Sequence, residues 1–516
     1  MNRKQFLQQL GLITAGTSVG MGSIPMKAFA HNPVGLTIEG TNGKILVMVQ
    51  LAGGNDGLNT VIPYQNDTYY TKRPDIGIKA DQVLRLNSQI GLNPGLTAFK
   101  ELYDNGKMTV VQNVGYDKPN RSHFRATDIW LSGSDSAEVL DEGWAGRYLA
   151  KLYPSFPLQT PPEPAAIQLG SVESMILKTN VGSFGTVFES PDNFATLVKG
   201  SSADTDPLPD TFAGEEVKYM RQVAAQSIQY SDVIKKKADA GKNQVTYPIS
   251  NLANQLKIVA NLISGGLQTP VYLTTIGGFD THANQVQSGS AGTGYHANLL
   301  KTVADAISAF QKDLDKQGNA NKVTVMTFSE FGRRVNQNGT LGTDHGTCAP
   351  LFVIGNTVRG GILGKNPNLS TLDNNGDLIY QFDYRQIYAS VLQDHLGVDS
   401  QAVKNIMVNK DFSTIPIFRA NTNSPILNEN PDFSLEQNYP NPFVNSTRIQ
   451  YMVNKAMNAR LAVYDMTGRE IMVLRDGLHP AGNHFVSLNT SDWVPGMYLY
   501  SLKTDLGQKT LRMVRG

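Results

Sequence analysis

Cysteine is nearly missing from this chain: Cys348 is the only one in 516 residues. An internal disulfide is excluded, and so is a zinc site built on paired thiolates, so stability outside the cytoplasm must come from packing, ions or assembly. Charge of one sign is lacking too. The 45 Lys and Arg nearly cancel the 44 Asp and Glu, leaving a formal net charge of +1, so no global field draws the chain to nucleic acid or to an anionic membrane. Beyond the first thirty residues no run is long and apolar enough to span a bilayer, and no transmembrane helix is expected. What is present is a 40% hydrophobic share in a chain longer than one ordinary domain, enough for a sizeable core and at least two domains.

Residues 1–30 read as an export segment. Arg3 and Lys4 lead, Phe6-Leu7 and a mildly apolar stretch follow, and Ala28-Phe29-Ala30 precedes His31, with cleavage expected after Ala30. The opening NRKQFLQ resembles a twin-arginine signal with Lys4 in the place of the second arginine; general export stays open beside it. Gly16, Gly20 and Gly22 weaken the other reading, a first helix of the mature chain.

Over residues 31–419 apolar strand-like runs alternate with helical patterns. Strands are expected at Ile45–Leu51, Met108–Val111, Ala166–Leu169, Val271–Thr275, Val323–Phe328 and Leu351–Ile354, and helices at Tyr295–Lys316 and Tyr384–Leu396. Such alternation predicts an α/β domain with a largely parallel sheet between layers of helices. Residues 188–241 differ: a polar loop, Ser201–Asp210, leads into a helix over about Gly214 to Lys237. The insertion reads as a cap over a site or as a plain surface insertion. Residues 420–432, ANTNSPILNENPD, read as a linker. From 433 to 516, the runs Thr447–Val453, Arg460–Tyr464, Glu470–Leu474, His484–Leu488 and Met497–Lys503 alternate in polarity between turn residues. That pattern predicts a small antiparallel β-sandwich.

Acidic and histidine residues stand just after the large domain's strands or just before one. They are Asp56 in QLAGGNDGLN, Asp280 and His282 in TTIGGFDTHAN, Glu330 in VTVMTFSEFGRR, and Asp344 with His345 in GTDHGTCAPLFVIG. Open α/β sheets gather ligands at their carboxyl edges, and carboxylates with imidazoles suit one or two divalent ions such as zinc, manganese, magnesium or calcium. Each residue also has a plain structural reading. Asp56 could brace its own turn, and Asp280-Thr281-His282 could cap a helix. Glu330 could pair with Arg333 or Arg334, and Asp344 could be a ligand or orient an imidazole. For a nucleophile the candidate is Ser122 in NRSHFRATDIW, at the start of a helix. Arg121 beside it could fork an oxyanion, and His123 could be acid, base or ligand. A simple helix N-cap is the other role for Ser122. Asp383 and Arg385 read as a helix start with an internal ion pair, and His296 and His395 as structural.

Together LVMVQLAGGNDGLNTVIPY, NRSHFRATDIWLSG, GGFDTHANQ, TFSEFGRRVNQNG, GTDHGTCAPLFVIG and FDYRQIYASVL resemble the family catalogued as domain of unknown function 1501. The resemblance implies membership of the alkaline phosphatase and sulfatase superfamily, an alkaline-phosphatase-like α/β/α sandwich, and metal-dependent hydrolysis of a phosphate, sulfate or related ester. It leaves the substrate unnamed. Ser329-Glu330-Phe331 departs from the superfamily, where an Asp-His pair commonly stands, and puts a second metal in question. A noncatalytic surface or envelope protein that keeps the fold is the rival reading. In the last eighty or so residues, LEQNYPNPFVNSTRIQY, LAVYDMTGREI, VPGMYLYSL and KTLRMVRG resemble the C-terminal sorting domain of type IX secretion cargo of the Bacteroidetes. This implies export machinery as a partner and release to, or attachment at, the outer cell surface. A carbohydrate-binding adhesive sandwich is the alternative for this domain.

Overall fold

The computed structural model describes residues 43–157, 159–199, 211–419, 433–438, 440–453, 455–465, 469–505 and 507–516. The export segment 1–30, the linker 420–432 and the polar loop at 201–210 lie outside the described residues. The chain divides into two compact units between Arg419 and Ala420.

The first unit is built on a nine-stranded sheet of β1 (Ile45–Leu51), β2 (Met108–Gly115), β3 (Ala166–Leu169), β4 (Gly185–Phe188), β5 (Val271–Ile276), β6 (Val323–Phe328), β7 (Ala349–Ile354), β8 (Gly361–Leu363) and β9 (Phe382–Asp383). The order is β8-β2-β7-β6-β1-β5-β3-β4, with β9 also beside β2. The pairings are parallel except those of β7, which runs against β6 and β2. The apolar run of β1 shows why the sheet lies between two helical layers. Ile45, Val47, Val49 and Leu51 enter one core with helices Thr97–Asp104, Asn251–Ser264 and Tyr295–Gln317. Leu46 and Met48 enter the other with helices His123–Ser132, Trp144–Leu152 and Tyr384–Ser390. A strand buried on both faces is apolar at most positions, with Gln50 the one polar residue of β1, and each such Val, Leu or Ile contributes about 1.5–3 kcal/mol by leaving water.

The helix expected over Tyr384–Leu396 is α-helical only to Ser390 and continues as a π turn, Val391–His395. There the Leu396 N–H reaches back to the Val391 carbonyl, 3.0 Å away. His395 uses the turn to bridge two strands. Its Nε2 lies 3.0 Å from the Ile45 carbonyl and its Nδ1 3.2 Å from Thr324 Oγ1. The start of this helix is as expected: Asp383 forms a capping box with Gln386 and pairs with Arg385. In the insertion, the helix Phe212–Ala240 lies along the layer of Asn251–Ser264, with Asn261 Nδ2 donating to the Ala238 carbonyl at 2.7 Å. Tyr230 and Ile234 of that helix enter the sheet's own core.

The topology explains the site. Strands β1, β2, β5 and β6 all run the same way, so their carboxyl ends open on one edge of the sheet; β7 runs oppositely, so the residues that precede it return to that edge. Segments near positions 53, 123, 280, 330 and 345 therefore share one crevice.

The second unit has β10 (Phe433–Leu435), β11 (Ser446–Val453), β12 (Met457–Tyr464), β13 (Glu470–His479), β14 (Gly482–Asn489), β15 (Gly496–Thr504) and β16 (Gly507–Arg515). They form two antiparallel sheets, β10-β11-β14 and β13-β12-β15-β16. Ile449, Val453, Leu461, Val463, Tyr500 and Leu502 share one core, as a sandwich requires. Two strands escape the polarity pattern. Phe433–Leu435 is too short to show a period, and in β16 the apolar residues are only Leu511, Met513 and Val514 among charged and polar ones.

Candidate metal centre

The loops after β1 and β5 pack backbone to backbone. A Cβ on Gly53 would overlap the Asp280 nitrogen and one on Gly54 would overlap the Phe331 ring, and both glycines have positive φ, +123° and +78°. Glycine is demanded here by the approach of neighbouring loops. The contact brings Asp280 beside the residues that follow β6.

Asp280 Oδ1 is the hub. It lies 3.2 Å from His345 Nε2, 3.2 Å from His282 Nε2 and 3.5 Å from His123 Nε2. His123, Asp280 and His345 each offer a ligand atom within 4.8 Å of the others. His282 extends the group, its Nε2 standing 2.9 Å from His345 Nε2. Each ring is held from behind. His123 Nδ1 is 2.8 Å from Glu330 Oε1, His282 Nδ1 is 2.9 Å from Asp344 Oδ1, and His345 Nδ1 is 2.8 Å from the Arg121 carbonyl. Carboxylate and carbonyl oxygens only accept, so each Nδ1 carries the hydrogen and a neutral ring presents a bare Nε2 to the centre. Three lone pairs and a carboxylate oxygen thus face one another, and His123 Nε2 is buried with no hydrogen-bond partner. Such a donor set fits a divalent cation.

Electrostatics favour the ligand forms. Burial is the main influence holding His345 below the usual imidazole pKa, against the hydrogen bonds with Arg121 and Asp280; the neutral ring is the form that ligates. Burial works against ionisation of Asp280, yet the hydrogen bond and charge of Arg333 take its carboxyl below the usual range. The bond with His282, then that with Asn338, lowers Asp344.

Glu330 and Asp344, expected as ligands, stand one hydrogen bond behind the imidazoles. Glu330 Oε1 also accepts from the Gly53 N–H at 2.8 Å, so it pairs with neither Arg333 nor Arg334. Asp344 orients His282, not the adjacent His345. Asp56 is not brought into the group. It is fully buried, with Arg73 Nη1 2.6 Å and Gln285 Nε2 2.5 Å from its Oδ2. Its position in a tight turn after β1 was visible in sequence; the arginine that meets it, seventeen residues on, was not. Arg333 was equally hidden: fully buried, it donates from Nη2 to Asp280 Oδ1 at 2.6 Å and from its other positions to loop carbonyls. Phe331 packs on the imidazoles, with ring centres 4.9 Å from His123 and 4.7 Å from His345.

Ser122 is exposed at the N-cap position of the helix His123–Ser132, and its side chain makes no capping bond. The Arg121 guanidinium forms an ion pair with the buried carboxylate of Asp377, so it is anchored within the protein. His296, beside Asn55, is buried and structural, with Nε2 2.9 Å from Asn55 Oδ1.

Solved structures similar to this chain include a protein of the alkaline phosphatase superfamily from Vibrio parahaemolyticus, at 10% identity and TM-score 0.33, covering 89% of this chain and 85% of that one. Another is the PsFucS1 sulfatase from Pseudoalteromonas sp., at 14% identity and TM-score 0.32, covering 87% and 84%. A third is the phosphonate monoester hydrolase SpPMH from Silicibacter pomeroyi, at 7% identity and TM-score 0.30, covering 87% and 90%. No curated protein matches the chain. Residues 437–515 match the family described as Secretion system C-terminal sorting domain, so the chain carries a sorting domain for secretion. Among the described residues no helix is long and apolar enough to cross a membrane. The large unit matches over residues 43–407, and the chain therefore belongs to the family described as Protein of unknown function (DUF1501).

Proposed function

We propose that this protein is an exported, metal-dependent hydrolase of a phosphate, sulfate or related ester, carried to the cell surface or beyond by type IX secretion. The opposed nitrogens of His282 and His345, 2.9 Å apart, carry this reading. With both Nδ1 atoms bonded to acceptors, the two Nε2 lone pairs repel unless a cation or proton lies between them. His123, Asp280 and His345 would hold the ion, with His282 completing the set. A set dominated by imidazole suits zinc better than magnesium, calcium or manganese. A bound ion would neutralise ester oxygens and ease deprotonation of the attacking group.

The remaining chemistry falls to the chain. Ser122 is exposed next to His123 at the N-terminus of a ten-residue helix, where backbone N–H groups favour an anion; it is the proposed nucleophile. Arg121, held by Asp377, adds fixed positive charge beside it for an anionic ester.

The test is metal content of the purified full chain by elemental mass spectrometry, with a phosphate- and sulfate-ester screen on the same sample. Stoichiometric metal with ester turnover supports the proposal. Metal without turnover of any ester would favour a noncatalytic surface protein with a structural ion. A folded chain that stays metal-free after incubation with zinc, manganese, magnesium and calcium would overturn the metal reading.

A further inference from the structure

Three further carboxylates that the sequence marked as ligands are candidates for a second ion: Glu330 and Asp344 behind the histidine cluster, and Asp56 apart from it. Each is already engaged. Asp56 has its charge met by Arg73 at 2.6 Å, although its Oδ1 has no hydrogen-bond partner. Glu330 Oε1 serves His123 and the Gly53 N–H, both at 2.8 Å, and its Oε2 lies 3.2 Å from Ser329 Oγ. Asp344 Oδ1 serves His282 at 2.9 Å and Asn338 at 3.2 Å.

A cage of oxygens does exist next to the cluster. The carbonyls of Gly53, Gly54, Phe279 and Thr343 and the Oδ1 of Asp280 all point to one place. Five convergent oxygens, one of them anionic, are what a hard cation seeks. Here they surround a guanidinium. Arg333 Nε donates to Gly54 at 2.6 Å, Nη1 to Thr343 at 2.9 Å, and Nη2 to Gly53, to Phe279 at 3.0 Å and to Asp280 at 2.6 Å. The side chain is 0% exposed. A planar fork tied to five acceptors on three loops cannot swing aside without breaking all five bonds, and only the Phe279 carbonyl keeps a backbone donor, the Thr281 N–H at 2.9 Å.

We infer that the centre takes a single ion, and that Arg333 is built in as the second cation, sharing Asp280 Oδ1 with that ion. The inference rests on the metal reading proposed above. It assigns Arg333 a positioning role: it fixes the Asp280 carboxylate and supplies permanent positive charge where a two-ion centre would place an exchangeable one.

The experiment is titration of the metal-stripped full chain with zinc, read by calorimetry and by elemental mass spectrometry after desalting. One equivalent is expected, lost in His123→Ala. Two equivalents, both lost or weakened in His123→Ala, would overturn the single-ion inference and leave the metal reading standing. No bound zinc would overturn both. Arg333→Ala is expected to open the oxygen cage, so that the variant binds calcium as a second equivalent beside zinc. A folded Arg333→Ala protein that takes zinc alone would overturn the role given to Arg333; if the variant does not fold, the wild-type count decides.

Discussion

His282 and His345 present their Nε2 atoms to each other at 2.9 Å while their Nδ1 atoms are held by Asp344 and by the Arg121 carbonyl. Two acceptors at this distance are at ease only when something positive is shared between them. Zinc should therefore raise the melting temperature of the metal-stripped protein, because a ligand that binds only the native state stabilises it by mass action. In His345→Ala that rise should vanish. Thermal scans with and without zinc check this, and an equal rise in the variant would remove His345 from the centre.

Glu330 holds the His123 ring from behind at 2.8 Å, and in the proposed centre it would act on the ion through that ring. Glu330→Gln should weaken zinc binding by roughly 10–100-fold, the usual cost of losing a partner that orients a ligating imidazole. Competition against a fluorescent chelator measures this directly. A direct ligand role for Glu330 would instead cost the stoichiometry itself.

Asp56 has a different task, since it neutralises a fully buried arginine. Burial opposes its ionisation, but the charge and hydrogen bond of Arg73, with help from Gln285, bring its carboxyl below the ordinary range. Asp56→Ala leaves the Arg73 guanidinium uncompensated and should destabilise the domain by about 3–5 kcal/mol. Zinc stoichiometry should not change. Denaturant melts and metal analysis on the same variant separate stability from ligation.

Ser122 makes no capping bond, so the usual penalty for losing a cap, about 1 kcal/mol, should be largely absent in Ser122→Ala. Metal content should persist while ester turnover disappears. Full turnover in the variant would rule out Ser122 as the nucleophile.

The largest part of the acid sensitivity should come from two histidines away from the centre, with His345 adding to it in the metal-free protein. Burial, above all, lowers the pKa of His296 and of His395 from 6.5 to about 4. His395 is held neutral with Nε2–H donating to Ile45 and Nδ1 accepting from Thr324. The unfolded chain binds protons that the native state refuses. Stability is therefore intact above pH 6.5 and falls as the pH drops towards 4, by about 3 kcal/mol for each group. Unfolding in chelator at stepped pH should show this slope, and His395→Gln should reduce it by the share of one such group, about 3 kcal/mol across the window.

The strands were the most legible part of the fold. β1, β3 and β6 have the limits that their largely apolar runs predict, since a strand buried on both faces leaves a near-continuous hydrophobic signature. The π turn at Val391–His395 left no such mark, because its cause is a bond from His395 to a strand some 350 positions earlier. At the site, Asp280, His282, His345 and His123 all stand out in sequence as residues at strand or helix ends. Glu330 and Asp344 stand out equally, and nothing local separates a ligand from the carboxylate behind it.

Local sequence determined where strands end, where glycine must let loops touch, and which loops carry carboxylate or imidazole. Only the tertiary structure decided which atoms meet. The reversal of β7 returned His345 to the edge reached by β1, β5 and β6, and long-range pairing gave Asp56 to Arg73 and Asp280 to Arg333. The physical reason is that a charge takes the role of ligand, brace or counterion from what lies within a few ångströms, and for these residues the neighbours come from distant parts of the chain.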